Sequence, residues 1–252
     1  PALHRRLGES GESAQFGRNQ ALVLGDVLFG AALDQLSHPD APPSRAMAAM
    51  RYFSEMVQET GLGQARELEH AGLPIAEVDL PAIEETYWLK TGRYSFESPL
   101  RLAALLSGAD RALLDRIEAI ARPLGLGFQI ENDLHEVRQI AQCDPAEGSQ
   151  PDFDAGVKTY FLRHTWNAAS VSQRVALEAW LRHQADPEAA RIATETLCQP
   201  HLHQQIEAEI ERLFTTARQQ ITHLPDPLPT RLGTLCDFLS SRRQHSETLA
   251  PA

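Results

Sequence analysis

The stretch GLGFQIENDLHEV, residues 125–137, gathers Glu131, Asn132, Asp133 and Glu136 directly after an apolar, glycine-punctuated run. On a helix Asn132 and Glu136 stand at i, i+4, and Asp133 and Glu136 at i, i+3. The three side chains then share one face and can converge on one cation. Oxygen donors without His or Cys suit a hard ion such as Mg²⁺. That ion takes one or two protein carboxylates and completes its shell with phosphate oxygens and water. A solvated acidic helix face has the same composition, and the cluster alone does not separate the two.

Three other short stretches carry groups that suit phosphate. Arg5 and Arg6 sit side by side in HRRLGE (4–9), and guanidinium forks match phosphate oxygens. WLKTGRYS (88–95) places Lys90 and Thr91 in a helix that is otherwise apolar on that side. DAGVKTYF (154–161) places Lys158 and Thr159 just after a turn-rich loop. Taken singly, each has an ordinary explanation: a basic helix end, a surface lysine, a loop lysine.

The elements that must position these groups read as helices almost throughout. Ile206, Ile210, Leu213, Phe214, Ala217 and Ile221 fall on one helical face. NQALVLGDVLFGAALDQL (19–36) is apolar almost all round, which predicts a central, buried helix. Residues 82–108 and 109–137 read as two long helices, with kinks expected at Pro99 and Pro123. SHPDAPPS (37–44) ends one helix, with Ser44 as a candidate cap for the next. Alternating β-branched runs are absent. The expectation is one all-α domain over residues 1–252.

Bulk properties narrow the function. The chain has 252 residues and a formal net charge of −11, a poor balance for nucleic acid or anionic membrane. An anionic ligand would need locally clustered cations or a bridging metal. The 3 cysteines, Cys143, Cys198 and Cys236, lack CxxC or Cys/His spacing and fit a reducing cytoplasmic compartment. No run approaches the ~18 apolar residues of a membrane span, so stable membrane insertion is not expected.

In order, these pieces resemble the trans-type polyprenyl diphosphate synthases, and the resemblance covers nearly the whole chain. It rests on Arg5-Arg6, then Gly17 with ALVLGDVL (21–28), then Gly63-Gln64 followed by Glu67 and Glu69. KTGRYSF (90–96), GLGFQIENDLHE (125–136) and DFDAGVKT (152–159) follow. The KTGRYSFESPL stretch looks most like short-chain members, the geranylgeranyl and farnesyl diphosphate synthases.

The resemblance implies an all-α helical bundle of the isoprenoid synthase type around a central cavity, assembled as a homodimer. It implies Mg²⁺-dependent condensation of an allylic prenyl diphosphate with isopentenyl diphosphate, giving most simply geranylgeranyl diphosphate. Arg5 would hold the allylic diphosphate and Arg6 the isopentenyl diphosphate. Lys90, Thr91 and Gln129 would line the allylic site, joined by Lys158. Asn132, Asp133 and Glu136 would form the second metal motif. Lys90, Asp133 and Arg5 would carry the catalysis, and Asp133→Ala should cut turnover while leaving the fold intact.

The sequence departs from the family pattern in three places. The second motif is normally DDxxD, and Asn132 keeps an oxygen ligand there but loses a charge, so weaker metal affinity is expected. Lys158 stands one position after the family's lysine, and one residue turns a helical side chain by about 100°. The first Asp-rich motif would end one residue before Pro1, so the N-terminal helices are expected to be missing from this chain. Two alternatives remain at this point: a non-catalytic or regulatory subunit on the same fold, and a class I terpene cyclase.

Overall fold

The computed structural model describes residues 14–37, 40–142 and 155–247. Every regular element among them is helical. In chain order they are α1 (Ala14–Leu36), α2 (Pro43–Gly72), a single 3₁₀ turn (Ile75–Glu77), α3 (Leu80–Tyr87) and a π-helical segment (Trp88–Glu97). Then come α4 (Ser98–Ser107), α5 (Arg111–Gln142), α6 (Tyr160–Ala168), α7 (Val171–Leu181), α8 (Pro187–Leu197), α9 (Pro200–Ile221) and α10 (Leu228–Glu247). Among the described residues no helix is long and apolar enough to cross a membrane.

Contacts cluster into two compact units. The smaller holds the described residues up to Ser54, with Leu102–Ala109. The larger holds Glu55–Arg101 and the described residues from Asp110 onward.

In the smaller unit, Phe29 of α1 lies 5.5 Å from Phe53 of α2, ring centre to ring centre. Arg45 donates to the Leu106 carbonyl at 3.4 Å. The burial expected for α1 is not found: Leu22, Val27 and Leu28 are 71%, 60% and 62% exposed. A helix apolar on every face needs cover on every face, and the described part of this chain does not supply it.

In the larger unit, α9 packs most extensively on α5. The predicted face is the buried one: Ile206, Ile210, Leu213, Phe214, Ala217 and Ile221 all enter the core. Phe161, Leu177, Ile120, Leu124 and Leu134 join them. Gly127 of α5 makes room for Phe214, since a Cβ there would stand 3.1 Å from the ring.

Local chemistry sets the helix starts. Asp79 accepts the Ala82 amide at 2.9 Å, Thr159 the Leu162 amide at 3.1 Å, and Asp186 the Ala189 amide at 2.8 Å. Ser170 and Gln173 form a reciprocal capping box at α7. Ser170→Ala should therefore lower stability by about 1 kcal/mol in thermal melts. Ser44 does not cap: α2 already begins at Pro43, whose fixed φ and missing N–H suit a first helical turn.

The two prolines stand in different settings. α3, the π segment and α4 follow one another without a loop from Leu80 to Ser107. Before Pro99 the ladder widens to i→i−5, ending with the Ser98 amide on the Arg93 carbonyl. Pro99 cannot donate, and its ring would press on the carbonyl four residues back in an α-helix. The wide turns end where that conflict would arise. Pro123 lies inside α5, and the helix runs on past it in both directions.

Candidate active site

Two glycines let the π segment and α5 touch backbone to backbone. A Cβ on Gly125 would stand 2.5 Å from the Gly92 Cα. Lys90 and Thr91 immediately precede Gly92 on one side of this crossing. On the other side, Gln129, Asn132, Asp133 and Glu136 follow Gly125 at helical intervals along α5. Thr91 is buried, and Gln129 and Glu136 are half-buried. Asn132 is exposed. The structure thus brings Lys90, Thr91 and the GLGFQIENDLHE helix into one neighbourhood.

Lys90 is anchored from α2. Gly63 packs against the Leu89–Lys90 backbone, where a Cβ would come within 2.7 Å of the Lys90 nitrogen. One turn further along α2, both carboxylate oxygens of Glu67 accept from Lys90 Nζ, at 2.7 and 2.6 Å. Gln64 donates to the same carboxylate at 3.0 Å. The far end of the π segment is held by Glu97. Its buried carboxylate accepts from Arg93 at 2.9 Å and from Arg101 at 2.5 Å. Arg93 also pairs with Glu59 of α2.

Asp133 turns inward. It is 2% exposed. The Tyr87 hydroxyl donates to its Oδ2 at 2.5 Å, and the Tyr160 amide donates to the same oxygen at 3.2 Å and to the Tyr87 hydroxyl at 2.9 Å. These bonds tie the end of α3 and the start of α6 to the middle of α5. Burial, and then the charges of Glu209 and Glu84, push the Tyr160 phenol up to about 12. It therefore stays protonated at neutral pH.

Lys158 is also buried, and its Nζ donates to the carbonyls of Ala71 at 3.0 Å and Gly156 at 2.6 Å. It satisfies the open C-terminal end of α2. Desolvation lowers its pKa, with the Glu178 charge working the other way. Ala71 lies one helical turn beyond Glu67, so Lys158 and Lys90 attach to the same stretch of α2. Arg5 and Arg6 lie outside the described residues. His135 is exposed, as suits a helix-surface histidine.

The donors present test the expected ion. Among the described residues no group of three or more His, Cys, Asp or Glu could hold a metal. Asp133 commits an oxygen to Tyr87 and the Tyr160 amide. Its second oxygen, Oδ1, stands with the Asn132 amide oxygen and the Glu136 carboxylate along α5. These oxygen donors fit Mg²⁺ when phosphate oxygens and water complete the shell, which is the ordinary habit of this ion.

An open groove of about 540 Å³ lies elsewhere, lined by Trp166, Val171, Arg174 and Val175 among others. None of the described residues expected to bind substrate or metal lines it. Sequence reasoning gave Glu67 no partner and did not single out Tyr87. Tyr87 stands where α3 passes into the π segment, and no local pattern in the sequence marks it.

The architecture and the residues at the crossing define a helical isoprenoid-synthase fold. A family model described as polyprenyl synthetase matches residues 2–197, and the chain belongs to that family. Geranylgeranyl pyrophosphate synthase 11, chloroplastic, of Arabidopsis thaliana is 26% identical over 197 residues, covering 75% of this chain and 55% of that protein. Farnesyl diphosphate synthase of Escherichia coli is 31% identical over 129 residues, covering 49% of this chain and 42% of that protein. The chain thus spans about half the length of the curated relatives it matches. A geranylgeranyl pyrophosphate synthase from Corynebacterium glutamicum, solved with isoprenyl diphosphate and magnesium, shares the fold with a TM-score of 0.77. It is 21% identical, and the alignment covers 96% of this chain and 70% of that one.

Proposed function

We propose that this chain is a prenyltransferase. It would join an allylic diphosphate to isopentenyl diphosphate, head to tail, giving a short trans-polyprenyl diphosphate of the geranylgeranyl class. The observation that supports this best is the crossing at Gly92 and Gly125. It gathers Lys90, Thr91 and Gln129, groups that the family resemblance assigns to the allylic diphosphate.

Lys90 and Thr91 offer donors to diphosphate oxygens, and Gln129 adds an amide from the facing helix. The tight backbone contact leaves no room for water between the two helices at that point. Arg5 and Arg6 would hold the allylic and isopentenyl diphosphates. Asn132, Asp133 and Glu136 would hold Mg²⁺, which would neutralise charge on the departing diphosphate. The C–O bond of the allylic substrate breaks, a C–C bond forms to isopentenyl diphosphate, and a proton is lost to the departing diphosphate. The reading carries a cytoplasmic homodimer built from one prenyltransferase domain.

A second reading, a non-catalytic subunit of such an enzyme, is favoured by the neutral Asn132 and the inward Asp133. Radiolabelled isopentenyl diphosphate, offered to the full-length protein with Mg²⁺ and a series of allylic primers, separates the two. Label in a product of geranylgeranyl length is expected. No elongated product from any primer overturns the enzyme reading and favours the subunit. A cyclic hydrocarbon formed without isopentenyl diphosphate points to a cyclase.

A further inference from the structure

Lys90 meets any incoming anion with a carboxylate already on it. Both oxygens of Glu67 bond its Nζ, and the Glu67 side chain is only 12% exposed against 31% for Lys90. An ammonium has three N–H donors. With two directed at Glu67, a single donor is left for a ligand, and the adjacent negative charge offsets the field that ligand would feel. The contact is built rather than incidental. Gly63 allows α2 to reach the Leu89–Lys90 backbone, Glu67 follows one turn later, and Gln64 donates to it. In a chain of net charge −11, a carboxylate at this position is the opposite of what bare anion capture calls for.

We propose that Glu67 is a resident competitor for Lys90 that sets a charge threshold at the site. A diphosphate, with several negative charges, draws Lys90 away from Glu67; a monophosphate does so poorly. Glu67 thereby contributes to selection of diphosphates over monophosphates. This rests on the reading of Lys90 as a diphosphate-binding group. Glu67 is a specificity-setting residue here and takes no part in bond making or breaking.

Calorimetric titration of the full-length protein with inorganic pyrophosphate, and separately with inorganic phosphate, tests the idea. Glu67→Gln should tighten pyrophosphate binding about tenfold, or about 1.4 kcal/mol. It should tighten phosphate binding by a larger factor, so that selectivity narrows. Glu67→Asp keeps the charge but withdraws it by one methylene, and should fall between. In a Lys90→Met background, Glu67→Gln should change neither affinity. Unchanged or weaker binding in Glu67→Gln overturns the proposal, as does an equal gain in the Lys90→Met background, which would reflect only the general field. A parent protein and a Glu67→Gln variant that both ignore pyrophosphate would overturn the diphosphate site itself along with it.

Discussion

Asp133→Ala is expected to lower the unfolding free energy by about 2–4 kcal/mol, because it strips a buried hydroxyl of its charged acceptor. The Tyr87 hydroxyl would lose the carboxylate that accepts its proton while still receiving the Tyr160 amide. The Tyr160 amide would lose one of its two acceptors at the first turn of α6. Asp133→Asn retains an oxygen in the same place and should cost about 1 kcal/mol. Tyr87→Phe should fall between them. Urea unfolding of the three variants ranks these effects. Equal stability for Asp133→Ala and the parent would mean the carboxylate does not hold the three helices together. The expected order alters how activity loss is interpreted. A dead Asp133→Ala enzyme can be dead because α5 has moved, so the isosteric Asp133→Asn is the informative variant for catalysis.

Gly125→Ala should damage activity more than its size suggests. The added methyl would lie 2.5 Å from the Gly92 Cα, a backbone atom that cannot rotate away. Carbon atoms rest about 3.5–4.0 Å apart, so the π segment would have to retreat by about 1 Å. Overpacking of this kind costs about 1–3 kcal/mol of stability. A displacement of about 1 Å between Lys90–Thr91 and Gln129 can cost on the order of 100-fold in rate. Gly127→Ala, two residues along α5, is the matched control. Its methyl meets the Phe214 ring at 3.1 Å, so it loads the core rather than the crossing. The measurement is kcat/KM beside melting temperature for both variants. A Gly125→Ala enzyme no slower than Gly127→Ala would remove the crossing from the account.

The parts of the fold legible in the sequence were those where one helical face differs from the rest. The Ile206–Ile221 stripe is such a face, and all of it is buried. α1 was misread because an all-round apolar helix reports that cover is needed, not which chain provides it. The π segment was hidden because its 10 residues are too few for a wider turn to declare a period of its own. Pro99 was its only local signal. At the site, Asn132, Asp133 and Glu136 stand at helical intervals, and neighbouring helical residues point about 100° apart. Asn132 is exposed, while one oxygen of Asp133 meets the Tyr87 hydroxyl, a contact that spacing alone does not show. The partner of Lys90 was not legible either. Glu67 reaches it only because Gly63, 27 positions earlier in the chain, has no side chain.

Diphosphate release, followed continuously with each substrate alone and with both together, tests the central claim most directly. The full-length protein is expected to release diphosphate only when an allylic diphosphate and isopentenyl diphosphate are both present, one per five-carbon unit added. Release from the allylic diphosphate alone at the same rate, or no release under any combination, would contradict it.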